Sequence, residues 1–298
     1  MITIFTPTYN RAYSLSRLYN SLKKQTFQNF EWLIIDDGST DNTKELVSDF
    51  IKENLISIRY FFQENGGKHR AINKAVTLAK GELFFIVDSD DWLPDNSLKI
   101  IENYYLQIKN SECFAGVVGC KATEDLKISG TTFKGNVIDG TFLERKKLNI
   151  NGEKAEVFKT DLLKKYPFPE FEGENFISEA IIWNKIAYDG YKVRYFNEIV
   201  YFYEYQKDGL SKNLRNNYKN NPIGYLTYVA QELKFLKISF LKKMYLCGKC
   251  INTVDCKIVS NEKIKEILNL TFLTFNFAKL IYFIKNLLYR RKNCETKA

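Results

Sequence analysis

The first 90 residues alternate short apolar runs with amphipathic segments, and this alternation limits the possible folds more than any other feature. The apolar runs are residues 2–6, 30–35, 56–62 and 83–87. Between them, apolar side chains recur every three or four residues, as at Leu15, Leu18 and Leu22, which is the spacing of one helix face. Uniformly apolar strands that alternate with such helices predict an α/β fold: a mostly parallel sheet with helices on both faces.

A polar cluster follows each of the four predicted strands. The clusters are residues 6–11 (TPTYNR), 36–39 (DDGS), 64–70 (ENGGKHR) and 88–91 (DSDD). The carboxyl ends of parallel strands share one edge of a sheet, and ligands bind outside that edge in open α/β sheets. The sequence therefore predicts that these four clusters form one ligand site.

The second half of the chain is less regular. Residues 114–120 are typical of a strand, residues 121–160 alternate as short antiparallel strands do, and residues 177–188 have a helical apolar face. Later residues are first rich in Asn and Lys and then helical. We expect an α/β domain of residues 1–210 followed by a basic, mostly helical region of residues 211–298.

Positive charge is concentrated in the last third of the chain. From Lys207 to Ala298 there are 18 basic and 6 acidic residues, whereas the preceding residues have 26 basic and 29 acidic side chains. Such an imbalance favours a polyanionic partner, either a membrane surface or a nucleic acid. Because no nucleic-acid-binding motif is present, we expect no nucleic-acid partner.

The six cysteines form no recognisable framework. Cys247, Cys250 and Cys256 have part of the spacing of a zinc site, but a second pair is missing and His69 is the only histidine. We therefore expect reduced thiols rather than structural zinc. The N-terminus lacks the basic and apolar regions of a secretory signal, and no run of about 18 uncharged apolar residues occurs, so we expect neither export nor a clean membrane span.

Asp88, Asp90 and Asp91 form an acidic cluster directly after a predicted buried strand. Three carboxylates within four residues repel one another unless a cation neutralises them, and Mg²⁺ or Mn²⁺ prefers such oxygen ligands. A solvated acidic turn is the alternative interpretation. Asp36 and Asp37 also follow a strand, where a carboxylate can accept hydrogen bonds from a base or ribose, although a simple turn explains this composition better on its own.

Residues 66–70 (GGKHR) combine flexible backbone with positive charge, which suits a diphosphate. Their spacing is neither that of a Walker A loop nor that of a dinucleotide fingerprint, so an ATPase and an NAD enzyme are not supported. A solvated helix start explains the segment equally well. The helix that follows is expected to end near Gly81, as a left-handed C-terminal glycine.

Taken together, these segments resemble family 2 glycosyltransferases of the GT-A fold, a Rossmann-like α/β architecture. The matching motifs, in the family's order, are residues 6–11, 25–27, 35–41, 65–67 and 88–91, and the resemblance covers about residues 1–205. It implies a nucleoside-diphosphate sugar donor, with a UDP-sugar as the expected class, a divalent Mn²⁺ or Mg²⁺, and inversion at the anomeric carbon. It also implies a nucleotide-binding half, residues 1–110, and an acceptor or catalytic half, residues 111–210.

The resemblance assigns roles residue by residue. The expected nucleotide-sugar contacts are Pro7, Tyr9, Asn10, Arg11, Asp37, Lys68, Asp88 and Ser89. In the Asp-x-Asp motif, Asp88 is expected near the ribose and the metal, and Asp90 is the expected metal ligand on the diphosphate.

The catalytic base of the family precedes a tryptophan by four residues at the start of a helix. Glu179 has this position relative to Trp183, although Ser178 and Glu179 stand where Glu-Asp is common. Glu174 is the second candidate. A base must lie within hydrogen-bond reach of the acceptor hydroxyl, whereas a carboxylate near a helix start can equally be a capping or dipole partner. Residues 203–211 resemble a loop that follows the catalytic region in some bacterial members.

Residues 268–292 are rich in Leu, Phe and Ile, contain Lys279 and Lys285, and end in Arg290, Arg291 and Lys292. This composition favours equally a helix that lies in a membrane interface and a helix that packs on other parts of the protein. The first alternative suits a cytoplasmic enzyme, peripheral at the inner face of the plasma membrane.

Such an enzyme would act on a glycan or lipid-linked saccharide acceptor in surface-polysaccharide or glycolipid assembly, as the resemblance implies. The rival enzyme class, a sugar-phosphate nucleotidyltransferase, would require a Gly- and Arg-containing loop after the first strand, where residues 7–10 (PTYN) stand instead.

Overall fold

The computed structural model describes residues 1–204, 213–255 and 258–295, with side chains described as far as residue 288. The chain forms two compact units. The first contains Met1–Glu170 and the segment from Ile182 through the last strand, and the second contains Phe171–Ile181 and the helices after that strand. The predicted domain boundary at residue 210 lies outside the described residues.

The first unit is built on an eight-stranded sheet. The strands are β1 (Ile2–Thr8), β2 (Phe30–Asp36), β3 (Ile58–Phe62), β4 (Leu83–Ile86), β5 (Phe114–Ala122), β6 (Val137–Gly140), β7 (Lys154–Lys159) and β8 (Lys192–Phe202). Their order across the sheet is β3-β2-β1-β4-β7-β5-β8-β6. Strands β1 to β4 pair in parallel, which confirms the parallel arrangement predicted for the first 90 residues.

Helices cover both faces of this sheet. The described helices of the two units together are α1 (Ala12–Lys23), α2 (Thr43–Glu53), α3 (Lys68–Leu78), α4 (Ser97–Leu106), α5 (Thr160–Leu163), α6 (Ala180–Tyr188), α7 (Leu214–Asn220), α8 (Pro222–Phe235), α9 (Phe240–Thr253), α10 (Asn261–Ile267) and α11 (Phe272–Glu295). Of these, α7 to α11 belong to the second unit and are not among the helices that cover the sheet. Helices α1, α2 and α4 share one core cluster that includes Leu18, Trp32 and Phe50. Helix α3 contacts β1 and β2, where the alternate residues Phe5 and Leu33 are buried on the opposite face.

One antiparallel strand separates two groups of parallel strands. Strand β7 lies between β4 and β5 and is antiparallel to both, while β5 and β8 pair in parallel. Strands β5 and β8 therefore run in the direction of β1 to β4, and their carboxyl ends lie at the same edge. Strands β6 and β7 confirm the short antiparallel strands expected within residues 121–160.

Gly81 has a different role from the predicted one. Helix α3 ends at Leu78, Ala79 is extended, and Gly81 does not have a positive φ. A Cβ atom at position 81 would lie 2.3 Å from the backbone nitrogen of Thr3. The prediction of a left-handed C-terminal glycine was wrong, because this glycine instead allows the backbone to pass close to β1.

The second unit contains helices α7 to α11 and has its own apolar core, which includes Leu226, Cys247 and Cys250. Both of these cysteines are buried free thiols, and Cys256 lies outside the described residues. Gly248 lets α9 approach α11, since a Cβ atom there would lie 2.1 Å from the carbonyl oxygen of Ala278.

No single helix in the described part of the chain is long and apolar enough to cross a membrane. Helix α10 and the Phe272–Leu288 part of α11 satisfy that length and composition test together, with a bend of 95° between them.

Candidate functional site

The loops after β1 and β2 are joined by hydrogen bonds. The side-chain oxygen of Asn10 accepts the N–H of Thr40 at 2.8 Å, and the N–H of Asn10 donates to Ser39 Oγ at 2.9 Å. The N–H of Asp37 donates to the carbonyl of Thr8 at 2.8 Å. Asn10, a predicted nucleotide contact, therefore also holds the two loops together, at a φ of 52°.

The buried carboxylate of Asp37 organises the loop before α3. It accepts the side-chain N–H of Gln63 at 2.7 Å, the N–H of Gly66 at 2.9 Å and the N–H of Gly67 at 2.8 Å. Gly67 has a φ of 92°, which favours glycine. Because a carboxylate has about four lone-pair sites, Asp37 keeps the capacity to accept one further donor.

Lys68 connects this loop to the acidic turn, the name used here for residues 88–91. Lys68 Nζ lies 2.6 Å from Asp88 Oδ1, and the preceding residue, Gly67, donates to Asp37. The structure thus brings together Asp37, Lys68 and Asp88, which were predicted from three separate segments. Burial alone would raise the pKa of Asp88, but the ammonium groups of Lys68 and Lys121 outweigh it and hold the pKa below its ordinary value.

The pKa values of the other two carboxyl groups of the acidic turn, Asp90 and Asp91, are shifted in the opposite direction. Burial and the charge of Asp88 raise the pKa of Asp90 above its ordinary value and raise the pKa of Asp91 to about 7. Repulsion among the three groups thus persists although Lys68 and Lys121 lie nearby. Such an arrangement favours the binding of a further cation.

The remaining predicted nucleotide contacts lie along the same edge of the sheet. Pro7 belongs to β1 and pairs in register with Ile35, and the ring of Tyr9 is 49% exposed. Ser89 is buried within the acidic turn. Arg11 directly precedes α1, and its charge lowers the pKa of Asp90 against the larger effects of burial and Asp88.

Two residues in this part of the first unit have buried polar atoms that lack a hydrogen-bond partner within the described chain. They are Thr8, through its hydroxyl, and His69, through both ring nitrogens. Burial lowers the pKa of His69 to about 4, so the ring is neutral at neutral pH. Unsatisfied buried groups are unusual in folded proteins and require an explanation such as a ligand or an ordered water.

The two candidate bases belong to the second unit. Glu179 is partly exposed and directly precedes α6. Glu174 is buried, and its two oxygens accept the N–H groups of Ile223 at 2.6 Å and Gly224 at 2.7 Å, at the start of α8. Burial raises the pKa of Glu174 despite these bonds. The Glu174 carboxylate therefore caps a helix, which favours Glu179 as the candidate base.

The carboxylates of the acidic turn suit a particular kind of metal site. Among the described residues, no group of three or more His, Cys, Asp or Glu side chains could by itself hold a metal ion. Mg²⁺ and similar ions are usually bound by one or two carboxylates, with the other ligands from water and substrate phosphates. Asp88 and Asp90 therefore fit a divalent cation shared with a diphosphate.

Three residues at this site belong to no sequence motif. They are Arg17 on α1, Lys121 on β5 and Tyr201 on β8. Lys121 Nζ lies 4.0 Å from the ring centroid of Tyr201. Strands β5 and β8 reach this edge because β7 is inserted between β4 and β5, which local patterns do not encode. The sequence offered one signal for these residues: Lys121 directly follows the apolar run of residues 114–120.

Comparison with known proteins identifies the family. The profile of glycosyl transferase family 2 matches residues 3–166. The Campylobacter jejuni GalNAc(5)-diNAcBac-PP-undecaprenol beta-1,3-glucosyltransferase is 27% identical over 253 residues, which cover 81% of this chain and 78% of that protein. Three relatives of higher identity, 34% to 38%, are matched over only 12% to 36% of their own length.

Solved structures share the fold at low sequence identity. S. aureus TarS 1–349 in complex with UDP-GlcNAc has a TM-score of 0.61 at 19% identity, covering 94% of this chain and 88% of that one. Mannosyltransferase PcManGT from Pyrobaculum calidifontis, in complex with GDP-Man and Mn²⁺, has a TM-score of 0.57 at 18% identity, covering 96% and 86%. The expected GT-A fold is confirmed. With its profile matched over more than half of the sequence, the chain belongs to glycosyl transferase family 2.

Proposed function

We propose that this protein is an inverting, metal-dependent glycosyltransferase that moves a sugar from a nucleoside-diphosphate sugar, expected to be a UDP-sugar, to a hydroxyl group of a glycan or lipid-linked acceptor. Its membership of the glycosyltransferase family is established, and the donor, metal and acceptor are proposed. One observation carries the proposal. Hydrogen bonds and an ion pair connect Asp37, through Gly67 and Lys68, to Asp88, so three of the segments that we expect to bind the donor meet at one edge of the sheet.

The residues at this edge would each contact a different part of the donor. The exposed ring of Tyr9 and the remaining acceptor capacity of Asp37 suit the nucleoside. Lys68 would exchange its contact with Asp88 for one with the diphosphate, since a lysine ammonium is a good phosphate partner. The UDP-GlcNAc and GDP-Man complexes of the structural relatives support a nucleotide-sugar donor.

Asp88 and Asp90 would hold Mn²⁺ or Mg²⁺, and Ser89 lies between them. The bound ion would supply positive charge that stabilises the leaving diphosphate. Support comes from the oxygen ligands of the acidic turn and from the Mn²⁺ in the PcManGT complex. Lys68 and Arg11 would add positive charge to the same region.

Glu179 is the proposed general base. Its carboxylate takes the proton of the acceptor hydroxyl while that oxygen forms a bond to the anomeric carbon. The bond from the anomeric carbon to the diphosphate breaks on the opposite side, and its electron pair leaves with the diphosphate. The place of Glu179 directly before α6, and the helix-capping contacts of Glu174, support this assignment. Of residues 203–211, which resemble the loop after the catalytic region in some bacterial members, residues 205–211 lie outside the described chain.

We also propose that the protein works at the cytoplasmic face of a membrane, through one side of α11. Its exposed apolar residues are Phe272, Leu273, Phe277, Leu280, Phe283, Ile284, Leu287 and Leu288. At about 100° per residue they occupy one arc of about 160°. Lys279 and Lys285 flank that arc, about 20° beyond one end and about 60° beyond the other, and residues 272–288 contain no acidic side chain.

This arrangement is complementary to an anionic lipid surface, because apolar side chains enter the interface while the flanking lysines contact the headgroups. The undecaprenol-linked acceptor in the name of the C. jejuni relative supports a membrane-bound acceptor. We propose surface-polysaccharide or glycolipid assembly as the setting.

The decisive test of the chemistry is product analysis with the Glu179→Gln variant. The wild-type protein should release a nucleoside diphosphate from one nucleotide sugar, whereas a sugar-phosphate nucleotidyltransferase would release pyrophosphate. Glu179→Gln should lower turnover at least about 100-fold, the range of general-base catalysis. Exposed Glu172 is the matched control, and Glu172→Gln should retain turnover. Near-normal turnover in a folded Glu179→Gln protein would exclude Glu179 as the base.

A further inference from the structure

The acidic turn has few internal restraints. Strand β4 before it contains only four residues, and one backbone hydrogen bond closes the turn, from the N–H of Asp91 to the carbonyl of Asp88 at 3.1 Å. Repulsion between Asp88 and Asp90 favours backbone arrangements that separate the two carboxylates. Contacts from other elements must therefore keep these side chains in place.

Tyr201 on β8 holds the turn from one side. Its hydroxyl accepts the N–H of Asp88 at 3.0 Å and donates to Asp91 Oδ2 at 2.7 Å. The ring is fully buried, packs edge-on against Phe85 at 6.1 Å between centroids, and lies under the ammonium group of Lys121. One hydroxyl group thus connects the first and last residues of the turn to β8.

Arg17 on α1 holds the turn from the other side. Nη2 donates to the carbonyl of Asp90 at 2.7 Å, and Nη1 lies 2.9 Å from Glu204 Oε2. The guanidinium lies 3.8 Å from the ring centroid of Trp92, within cation–π distance. Trp92 in turn exchanges two backbone hydrogen bonds with Phe202, at 3.1 and 2.8 Å.

Asp91 has different surroundings from the other two carboxylates. It is buried, one oxygen accepts the Tyr201 hydroxyl, and the other accepts the N–H of Glu204 at 3.4 Å. Both of its oxygens are thus directed at β8 and the residues directly after it. The third acid of the turn therefore has the contacts of an internal hydrogen-bond acceptor rather than of a cation ligand.

We propose that Arg17 and Tyr201 are positioning residues for the donor site, and that Asp91 serves as the acceptor that orients Tyr201. Arg17 fixes the carbonyl of Asp90 and Tyr201 fixes the N–H of Asp88, so together they set the backbone of both proposed cation ligands. This inference rests on the proposed function, because it assumes that Asp88 and Asp90 bind a divalent cation with the diphosphate.

The test is a Mn²⁺ titration of the full chain, with free Mn²⁺ measured by electron paramagnetic resonance in the presence of UDP and, separately, GDP. Arg17→Gln and Tyr201→Phe should each weaken Mn²⁺ binding roughly 10- to 100-fold, as removal of outer contacts to metal ligands generally does. Arg17→Lys should recover part of the affinity. Asp90→Asn should abolish binding. Asp91→Asn should remain near wild type, because its amide oxygen still accepts the Tyr201 hydroxyl and only the long 3.4 Å contact with the N–H of Glu204 is lost.

Matched controls separate positioning from general stability. Arg194 makes a bidentate ion pair with Asp139, and Tyr104 donates to Glu198, so Arg194→Gln and Tyr104→Phe remove similar contacts elsewhere. Neither should change Mn²⁺ affinity. If Tyr201→Phe does not fold, the half-exposed Arg17 still provides the test. Equal Mn²⁺ affinity in wild type and Arg17→Gln, or loss of Mn²⁺ binding in Asp91→Asn, would overturn this inference. Failure of the wild type to bind Mn²⁺ with either nucleotide would instead contradict the proposed function.

Discussion

His69 is the only histidine of the chain, and its buried ring has no hydrogen-bond partner within the described residues. Burial lowers its pKa from 6.5 to about 4. Between these two pH values the unfolded chain binds a proton that the folded protein does not bind. The stability contributed by a neutral His69 is therefore present above pH 6.5 and is lost as the pH falls towards 4.

The His69→Leu variant isolates this effect, since no other imidazole titrates. From pH 7.5 to pH 4.5, the free energy of unfolding of the wild type should fall roughly 2 to 3 kcal/mol more than that of the variant. Urea unfolding at a series of pH values measures the difference. Parallel pH profiles for the two proteins would show that His69 is protonated equally in the folded and unfolded states.

At the residue level, the sequence motifs proposed candidate site residues, but they could not show what these residues contact. Asp37 was expected to bind a nucleoside, and the structure adds that it already accepts three hydrogen bonds. Arg17 and Tyr201 could not be found, because each reaches the acidic turn from a distant element. The spacing to Trp183 favoured Glu179 over Glu174 as the base, and the contacts of Glu174 with α8 add a structural reason for the same choice.

At the level of elements, strands β1 to β4 were predictable because each is a continuous apolar run between polar clusters. The insertion of β7 between β4 and β5 was not predictable, since it pairs residues more than 60 positions apart. Gly81 shows a related limit. The same residue type serves a left-handed turn and a close backbone approach, and only the neighbouring Thr3 backbone separates the two explanations.

Gly248 provides a test of the contact between α9 and α11. At an exposed position inside a helix, a Gly→Ala substitution raises the free energy of unfolding by about 1 kcal/mol. Here the added Cβ atom would meet the carbonyl oxygen of Ala278 at 2.1 Å, so Gly248→Ala should instead destabilise by about 1 to 3 kcal/mol. Thermal and urea unfolding show whether Gly248→Ala raises or lowers the stability of the protein. Exposed Lys249 is the control, and Lys249→Ala should be nearly neutral; a stabilised Gly248→Ala protein would contradict this packing.

The exposed apolar side of α11 leads to a separate prediction about binding to liposomes. The full chain should float with phosphatidylglycerol liposomes and less with phosphatidylcholine liposomes. Leu273→Ser with Phe283→Ser should abolish flotation, and Lys279→Gln with Lys285→Gln should remove the preference for anionic lipid.

Leu55 and Leu106 are equally apolar and exposed in the first unit. Leu55→Ser with Leu106→Ser should therefore leave flotation unchanged. Absence of flotation, combined with a dimer in the wild type that the Leu273→Ser and Phe283→Ser pair dissociates, would show that α11 contacts a second copy instead of lipid.

At the level of the whole molecule, the four loops at the carboxyl ends of β1 to β4 are proposed to hold a cation-bridged activated sugar. The sequence placed these loops on one edge, and the parallel register of the strands confirms that part. The sequence could not show that Phe171–Ile181 groups with the C-terminal helices. That association depends on hydrogen bonds between residues about 50 positions apart, such as that from the N–H of Ile223 to Glu174 and that from the N–H of Asn175 to Asn221.

The most direct measurement is the thermal unfolding midpoint of the full chain with a panel of nucleotide sugars, with Mn²⁺ or with EDTA. We predict that one nucleotide sugar raises the midpoint only with Mn²⁺, because a ligand stabilises the folded state that binds it. Asp90→Asn should lose this increase without a lower unliganded midpoint, because the amide is not repelled by Asp88, and the exposed control Asp95→Asn should retain the increase. No stabilisation by any nucleotide sugar, or the same stabilisation in EDTA or in Asp90→Asn, would contradict a cation-bridged donor site.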